Sequence, residues 1–192
     1  MILMKDIIRE GHPNLTKKSK KISLPASKKD QELGVSLLTY CIVSQNEELN
    51  ELYQLRPGVG LSAVQINVLK RIFAMHLYDF DGTLYSYIIS NPVITYKSKE
   101  LIYLNGGEGC LSVDRETEGI TPRHKVIKAQ AFVYDLNEKR FKPRELTLKG
   151  LPAIVFQHEY DHLEGILYVS KLFDELPDAK PLIEKETHEN SP

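Results

Sequence analysis

The stretch Gln157-His158-Glu159-Tyr160-Asp161-His162 decides how the rest of the chain is interpreted. Two histidines stand four residues apart, and a glutamate follows the first. On an α-helix, four residues turn through about 400° and rise about 6 Å, so both imidazoles lie on one face. The pair could therefore ligate one metal ion, with Glu159 beside a metal-bound water.

The residues around this stretch predict a helix that is partly buried. Gly150 can end the preceding element, Pro152 suits the first turn of a helix, and Gly165 is placed to end it. The apolar run over residues 153–156 predicts burial. Imidazoles and carboxylates at the end of a buried helix are costly without a compensating partner, and a metal ion is such a partner. Two solvated surface histidines are the alternative interpretation of so short a motif.

A catalytic metal site needs a third protein ligand and one open position. The long metalloprotease pattern HExxHxxGxxH is not completed, because Tyr168 stands at its last position. Glu184 and Glu186 lie at the distance used by another group of metalloproteases, but in a charged segment with little apolar periodicity. The upstream segment Glu108-Gly109-Cys110-Leu111-Ser112 is the better candidate.

Three stretches resemble motifs of the peptide deformylase family and occur in the family's order. The chain reads GVGLSAVQ at residues 58–65, EGCLS at 108–112 and QHEYDHL at 157–163. The resemblance extends from Met1 to the region of Leu172, and it indicates the longer-insert branch found in Gram-positive bacteria. Two positions depart from the pattern: Ser62 stands where the family usually has alanine, and Val64 where proline is frequent. Ser62 is expected to affect modestly how Gln65 is held.

The resemblance implies that Cys110, His158 and His162 hold a divalent metal ion and that Glu159 is catalytic. One thiolate and two imidazoles suit Fe²⁺, Zn²⁺, Co²⁺ or Ni²⁺. The family implies Fe²⁺ in the cell, with Zn²⁺, Ni²⁺ or Co²⁺ as substitutes. The ligand set by itself admits all of these ions.

The implied reaction is the removal of formate from the formyl-methionine end of newly made polypeptides. By resemblance, the Gln65 amide and the backbone N–H of Leu111 face the developing oxyanion. A methionine side chain needs an apolar slot, and glycines let a backbone approach a ligand closely. Ordinary core is the alternative interpretation of the apolar candidates. The predicted substrate-binding residues are Val59, Gly60, Gly109, Leu151, Ile154 and Val155.

Length and composition bound the class of protein. A chain of 192 residues with 42% hydrophobic and 27% charged residues suits one globular domain. We expect that domain over residues 1–192, with a flexible tail over 174–192. The net charge of −1 gives no general attraction to DNA or to an anionic membrane.

The expected location is the cytoplasm, because the N-terminus lacks the basic start and long apolar segment of a signal peptide. The expected state is a monomer that acts on formyl-methionyl nascent peptides. The lysines within residues 17–21 suggest contact with the ribosome as a further hypothesis, and a solvated face is their plainer interpretation.

The order of elements predicts an α+β fold in which antiparallel strands surround a central HExxH helix, with a long N-terminal helix packed outside. Ser27 is placed to cap that first helix, which should extend over residues 28–45. Asn91-Pro92 should end a strand. The predicted strands are residues 71–77, 83–90, 93–103, 125–134, 141–149 and 166–169.

Three rival interpretations remain. An HExxH metalloprotease would take its third ligand from downstream of the helix. A structural metal site would need a fourth protein ligand, from His76, His124 or Cys41. A deformylase-like paralogue with weak or altered amide hydrolysis is the third rival, and Ser62 is its one indication.

Overall fold

A computed structural model describes residues 1–182 of the chain. The strands of these residues form two sheets. The larger sheet is antiparallel and has the order β1-β2-β3-β6-β7. The smaller has the order β5-β4-β8, with β4 and β8 parallel. The strands are β1 (Gly60–Ser62), β2 (Ile72–Tyr78), β3 (Leu84–Lys97), β4 (Leu101–Leu104), β5 (Arg123–His124), β6 (Val126–Asp135), β7 (Arg140–Lys149) and β8 (Ala179–Leu182).

The α-helices of the described residues are α1 (Lys28–Ser44), α2 (Glu47–Tyr53) and α3 (Leu151–Leu163). The predicted cap of α1 is confirmed, because the Ser27 side chain accepts a hydrogen bond from the Asp30 N–H. Asn46 caps α2 in the same way, so the helical region is divided after α1. Over residues 1–182 no helix combines the length and the apolar character needed to cross a membrane.

Strand β2 separates two hydrophobic cores. Successive side chains of a strand point to opposite faces. Ile72 and Ala74 therefore pack into the core that includes α1, and Phe73 and Met75 pack into the core that includes α3. The rings of Phe73 and Phe156 meet edge to face with centroids 5.2 Å apart, which anchors α3 on the sheet. Helices on an antiparallel sheet make the α+β architecture that the sequence predicts.

Strand β3 continues through a position where a break was predicted. The expectation that Asn91-Pro92 ends the strand is wrong, because the pairing with β6 shifts register between Ser90 and Val93. This irregularity accommodates a proline that has no N–H to donate. Asn91 has φ 48°, and its side-chain amide bonds the N–H and the C=O of Ile22, each at 2.9 Å.

The segment after α3 also differs from expectation. The predicted strand over 166–169 is wrong, because Tyr168–Lys171 forms a 3-10 helix. Strand β8 lies inside the predicted flexible tail, so that prediction is corrected over residues 179–182. Its partner β4 is distant along the chain, and such a pairing leaves no local sequence signal. Residues 183–192 lie outside the described part.

Candidate metal centre

Helix α3 presents His158 and His162 on one face, as their spacing predicts. The helix begins after Gly150, whose φ of 68° suits glycine, and Pro152 occupies its first turn. The two imidazole centroids lie 5.0 Å apart. His162 is 1% exposed, and the His158 side chain is 11% exposed. Both rings are thus held where little water can hydrate them.

Cys110 brings a thiol to the two imidazoles. Its Sγ lies 3.3 Å from Nε2 of His162. One ligand atom from each of Cys110, His158 and His162 lies within 4.8 Å of the others. A soft sulfur and two imidazole nitrogens form a donor set for Zn²⁺, Fe²⁺ or Ni²⁺. The group therefore fits one metal ion.

The charge state of Cys110 favours ligation. Burial by itself would raise the pKa of the Cys110 thiol, but the His162 and His158 imidazoles outweigh burial and hold that pKa well below its usual value. The thiolate is the form that binds metals. These imidazoles therefore favour the thiolate form of Cys110, which is the form that can bind a metal cation.

Glu108 and Arg123 orient His158 from behind. Oε2 of Glu108 lies 2.7 Å from Nδ1 of His158, which leaves the other ring nitrogen free to face a metal. Although burial raises the pKa of Glu108, the Arg123 guanidinium and His158 outweigh it and lower that pKa to about 2. The carboxylate therefore stays ionised. No sequence pattern pointed to Arg123. Glu108 was recognised only as the first residue of the EGCLS motif, without a role of its own.

The Gln65 amide is fixed with its NH₂ group toward Cys110. Its Oε1 accepts a hydrogen bond of 2.8 Å from the Ser62 N–H. Its Nε2 lies 3.5 Å from Cys110 Sγ and 3.3 Å from Ser112 Oγ. The residue is 1% exposed. A neutral donor held in this way can meet an oxyanion without adding charge.

The Glu159 carboxylate lies between β1 and α3. It fits because residue 60 is glycine: a Cβ at Gly60 would overlap the Glu159 carboxyl group. Burial raises the pKa of Glu159, and the neighbouring imidazoles offset that only in part. The Ser62 hydroxyl contacts Glu159, and the Ser62 backbone N–H holds the Gln65 amide. The expected modest effect of the Ser62 side chain on how Gln65 is held stays a prediction.

A cavity of about 280 Å³ opens onto these groups. Leu151 was predicted to line it, and that prediction is wrong. Leu151 is in the first turn of α3, about 10 Å along the axis from His158, and it packs into the core beside α3. Leu111, next to Cys110, lines the cavity with the remaining predicted residues. These are Val59, Gly60, Gly109, Ile154 and Val155.

The alternative ligands named from the sequence lie elsewhere. His76 and His124 hydrogen-bond to polar groups of their neighbouring segments. Cys41 is buried in the core beside α1. A site with three protein ligands beside an open cavity is typical of catalytic metals. The other two candidates, Glu184 and Glu186, lie outside the described residues.

Known proteins are similar to this chain over most of its length. The model of the family described as polypeptide deformylase matches residues 4–176. Peptide deformylase 2 of Bacillus cereus is 49% identical over 181 residues, which are 94% of this chain and 96% of that relative. A crystal structure of a probable peptide deformylase from Synechococcus phage S-SSM7 has a TM-score of 0.67 and 31% identity, and covers 86% of this chain and 98% of its own. The crystal structure of a Met-Ala-Ser-bound peptide deformylase from Acinetobacter baumannii also has a TM-score of 0.67, with 25% identity. The match covers 86% of this chain and 96% of that chain.

Proposed function

Because the chain belongs to the polypeptide deformylase family, we propose that Cys110, His158 and His162 hold the metal ion of a deformylase. The family's members are metal-dependent hydrolases, and so is this chain. The reaction removes the formyl group from the N-terminal formyl-methionine of new polypeptides and releases formate. The observation that carries the residue assignment is the approach of the Cys110 thiol to both α3 imidazoles at one cavity.

Glu159 is the proton carrier of the proposed mechanism. Water adds its oxygen to the formyl carbon, the C–N bond breaks, and the products are formate and the free amine of methionine. Glu159 accepts a proton from the attacking water and passes it to the leaving nitrogen. When bound, the metal ion supplies Lewis-acid chemistry and makes water more acidic near neutral pH. The burial that raises the pKa of Glu159 supports this role.

Gln65 stabilises the oxyanion in this mechanism. The Ser62 N–H donates to its Oε1, and this contact turns the donor group of the amide, Nε2, toward Cys110. The backbone N–H of Leu111 is the proposed second donor. Such preorganised donors are worth about 10²–10³ in turnover each.

The cavity is the proposed place of the methionine side chain. Ile154 and Val155 are 1% and 6% exposed and give it an apolar wall, while Val59 is 42% exposed at its rim. Gly109 lets the peptide backbone approach the site closely, and Gly60, beside which the Glu159 carboxyl group lies, borders the same cavity. A linear apolar side chain is the occupant that suits such a slot.

Further aspects of the proposal concern the whole protein. We propose a single catalytic domain with α3 as its central element, since α3 carries both histidines and packs on the larger sheet. The proposed ion in the cell is Fe²⁺, and the proposed form is a cytoplasmic monomer. Contact with the ribosome would use the exposed lysines of residues 17–21.

The test of the function is formate release from formyl-Met-Ala-Ser by Ni²⁺-loaded protein. Turnover should lie in the ordinary enzyme range of roughly 1–10³ per second. Glu159→Ala should abolish it, whereas the control Glu145→Ala, at an exposed position on β7, should retain it. A fully metallated wild-type protein that releases no formate would contradict the proposal and favour a paralogue with another amide substrate.

A further inference from the structure

The Ser62 hydroxyl reaches the Glu159 carboxylate from the end of β1. Ser62 Oγ lies 2.7 Å from Oε2 of Glu159 and 3.0 Å from its backbone carbonyl oxygen. A serine hydroxyl has one proton to donate, so it can satisfy only one of these acceptors at a time. Hydrogen bonds to a carboxylate are shorter and stronger than those to a neutral carbonyl. The shorter distance and the charge both favour donation to Oε2.

Burial makes this hydrogen bond hard to replace. Ser62 is 0% exposed and Glu159 is 3% exposed, so solvent has little access to either group. Gly60 borders the carboxylate on the Oε1 side, where a Cβ would overlap it. A donor at Oε2 and a close backbone at Oε1 together restrict rotation of the carboxylate.

Ser62 is itself held firmly. It pairs with Phe73 in the register of β1 and β2, and Phe73 packs against Phe156 of α3. Its N–H also fixes the Gln65 amide. One strand residue therefore holds Gln65 through its backbone and Glu159 through its side chain. Any residue except proline could supply the backbone N–H that holds Gln65. The contact with Glu159, by contrast, depends on the side-chain hydroxyl.

We propose that Ser62 is a positioning residue, whose hydroxyl holds the Glu159 carboxylate in the orientation in which it exchanges protons with water and the leaving amine. This inference rests on the role proposed for Glu159. Ser62 is not one of the three metal ligands, and it is absent from the residues that line the cavity. Loss of its hydroxyl should therefore lower kcat and leave KM and metal content unchanged.

The first test compares Ser62→Ala with wild type in the Ni²⁺-loaded form, using formyl-Met-Ala-Ser. We expect kcat to fall about tenfold, with KM and bound nickel within about twofold of wild type. Ser90→Ala is the matched control, because Ser90 is also 0% exposed but donates to the Phe132 carbonyl on another strand. This control should keep its kcat. A Ser62→Ala kcat within about twofold of wild type would overturn the inference.

The second test does not depend on activity. Urea unfolding of the Ni²⁺-loaded proteins is measured for Ser62→Ala, Glu159→Ala and the double variant. Ser62→Ala should raise the unfolding constant about tenfold in the wild-type background and by less than about twofold in the Glu159→Ala background. Equal increases in both backgrounds would place the hydroxyl on the carbonyl and overturn the inference. If wild type releases no formate, the proposed function fails, and this cycle still decides whether the contact exists.

Discussion

Arg123 holds Glu108 through two parallel hydrogen bonds, Nε to Oε1 at 2.7 Å and Nη2 to Oε2 at 2.8 Å. Both side chains are 3% exposed. Arg123 also pairs with Asp161, which lies on α3 beside His162. The same guanidinium thus fixes the loop that delivers Cys110 and the helix that delivers the histidines. The main contribution of such a buried ion pair is to fix the orientation of its partners, because the cost of desolvating the charges offsets much of their attraction.

Replacing Arg123 should therefore damage both folding and metal affinity. Arg123→Met leaves the buried Glu108 carboxylate without its guanidinium partner, whereas Asp161 keeps its ion pair with Lys171. We therefore expect a loss of about 3–5 kcal/mol in the free energy of unfolding, mainly from Glu108. Because Glu108 would no longer hold His158 firmly, metal affinity should fall about 10–100-fold. Urea unfolding and competition with a chelator measure the two effects. Arg144→Met, at an exposed position on β7, is the control. Unchanged metal affinity in Arg123→Met would refute the orienting role of Arg123.

Removing the thiolate should remove the metal. A serine hydroxyl stays protonated near neutral pH, so Cys110→Ser offers no anionic ligand. We expect purified Cys110→Ser to contain less than about a tenth of an equivalent of metal, measured by elemental analysis. Cys41→Ala is the matched control, since Cys41 lies in the core beside α1. A fully metallated Cys110→Ser protein would instead support a third ligand downstream of α3.

Gln65 should affect turnover and not metal binding. Gln65→Leu keeps the approximate volume but removes the amide donor, so kcat should fall about 10²–10³-fold at unchanged metal content. Steady-state kinetics with a formylated peptide give the value. Gln130→Leu, at an exposed position on β6, controls for loss of a glutamine amide. An unaffected kcat in Gln65→Leu would show that other donors meet the oxyanion.

The Asp30–Lys70 ion pair should make stability depend on acid pH. Burial by itself raises the pKa of Asp30, but hydrogen bonds from Lys70 and Ser27 outweigh it and lower that pKa. A folded-state pKa below the unfolded value, about 3.9, gives stability that is present above that pH and is lost as pH falls through the folded pKa.

Lys70→Met should therefore lower the free energy of unfolding at pH 7 by up to about 1 kcal/mol, because the Lys70 side chain is 41% exposed. The difference from wild type should shrink below about pH 4 and vanish below the folded pKa of Asp30. Urea unfolding at several pH values measures it, with Lys29→Met on the exposed side of α1 as control. A difference that persists at the lowest pH would point to lost packing of the lysine chain.

The sequence correctly predicted the features that depend on interactions between residues close together in the chain. The four-residue spacing of His158 and His162 places both on one face of α3, and Ser27 marks the start of α1. The hairpin of β2 and β3 follows from the turn residues that stand between two strand-like runs. Motif order, rather than spacing, pointed to Cys110.

Contacts between distant segments could not be predicted in this way. The proximity of Ser62 to Glu159 depends on how β1 packs on α3, and 97 residues separate them. The pairing of β8 with β4 is equally remote from any local pattern. Leu151 shows the converse error, since an apolar residue near a motif can turn to either side of its helix.

The parallel pairing of β4 with β8 has a consequence for the order of synthesis. Leu104 of β4 lines the cavity, and translation produces β4, then Cys110, then α3, and β8 only after all of them. All three proposed metal ligands are therefore synthesised before β8 is available to pair with β4 in the smaller sheet. The order of synthesis therefore allows a metal ion to be bound before the pairing of β4 with β8 is complete.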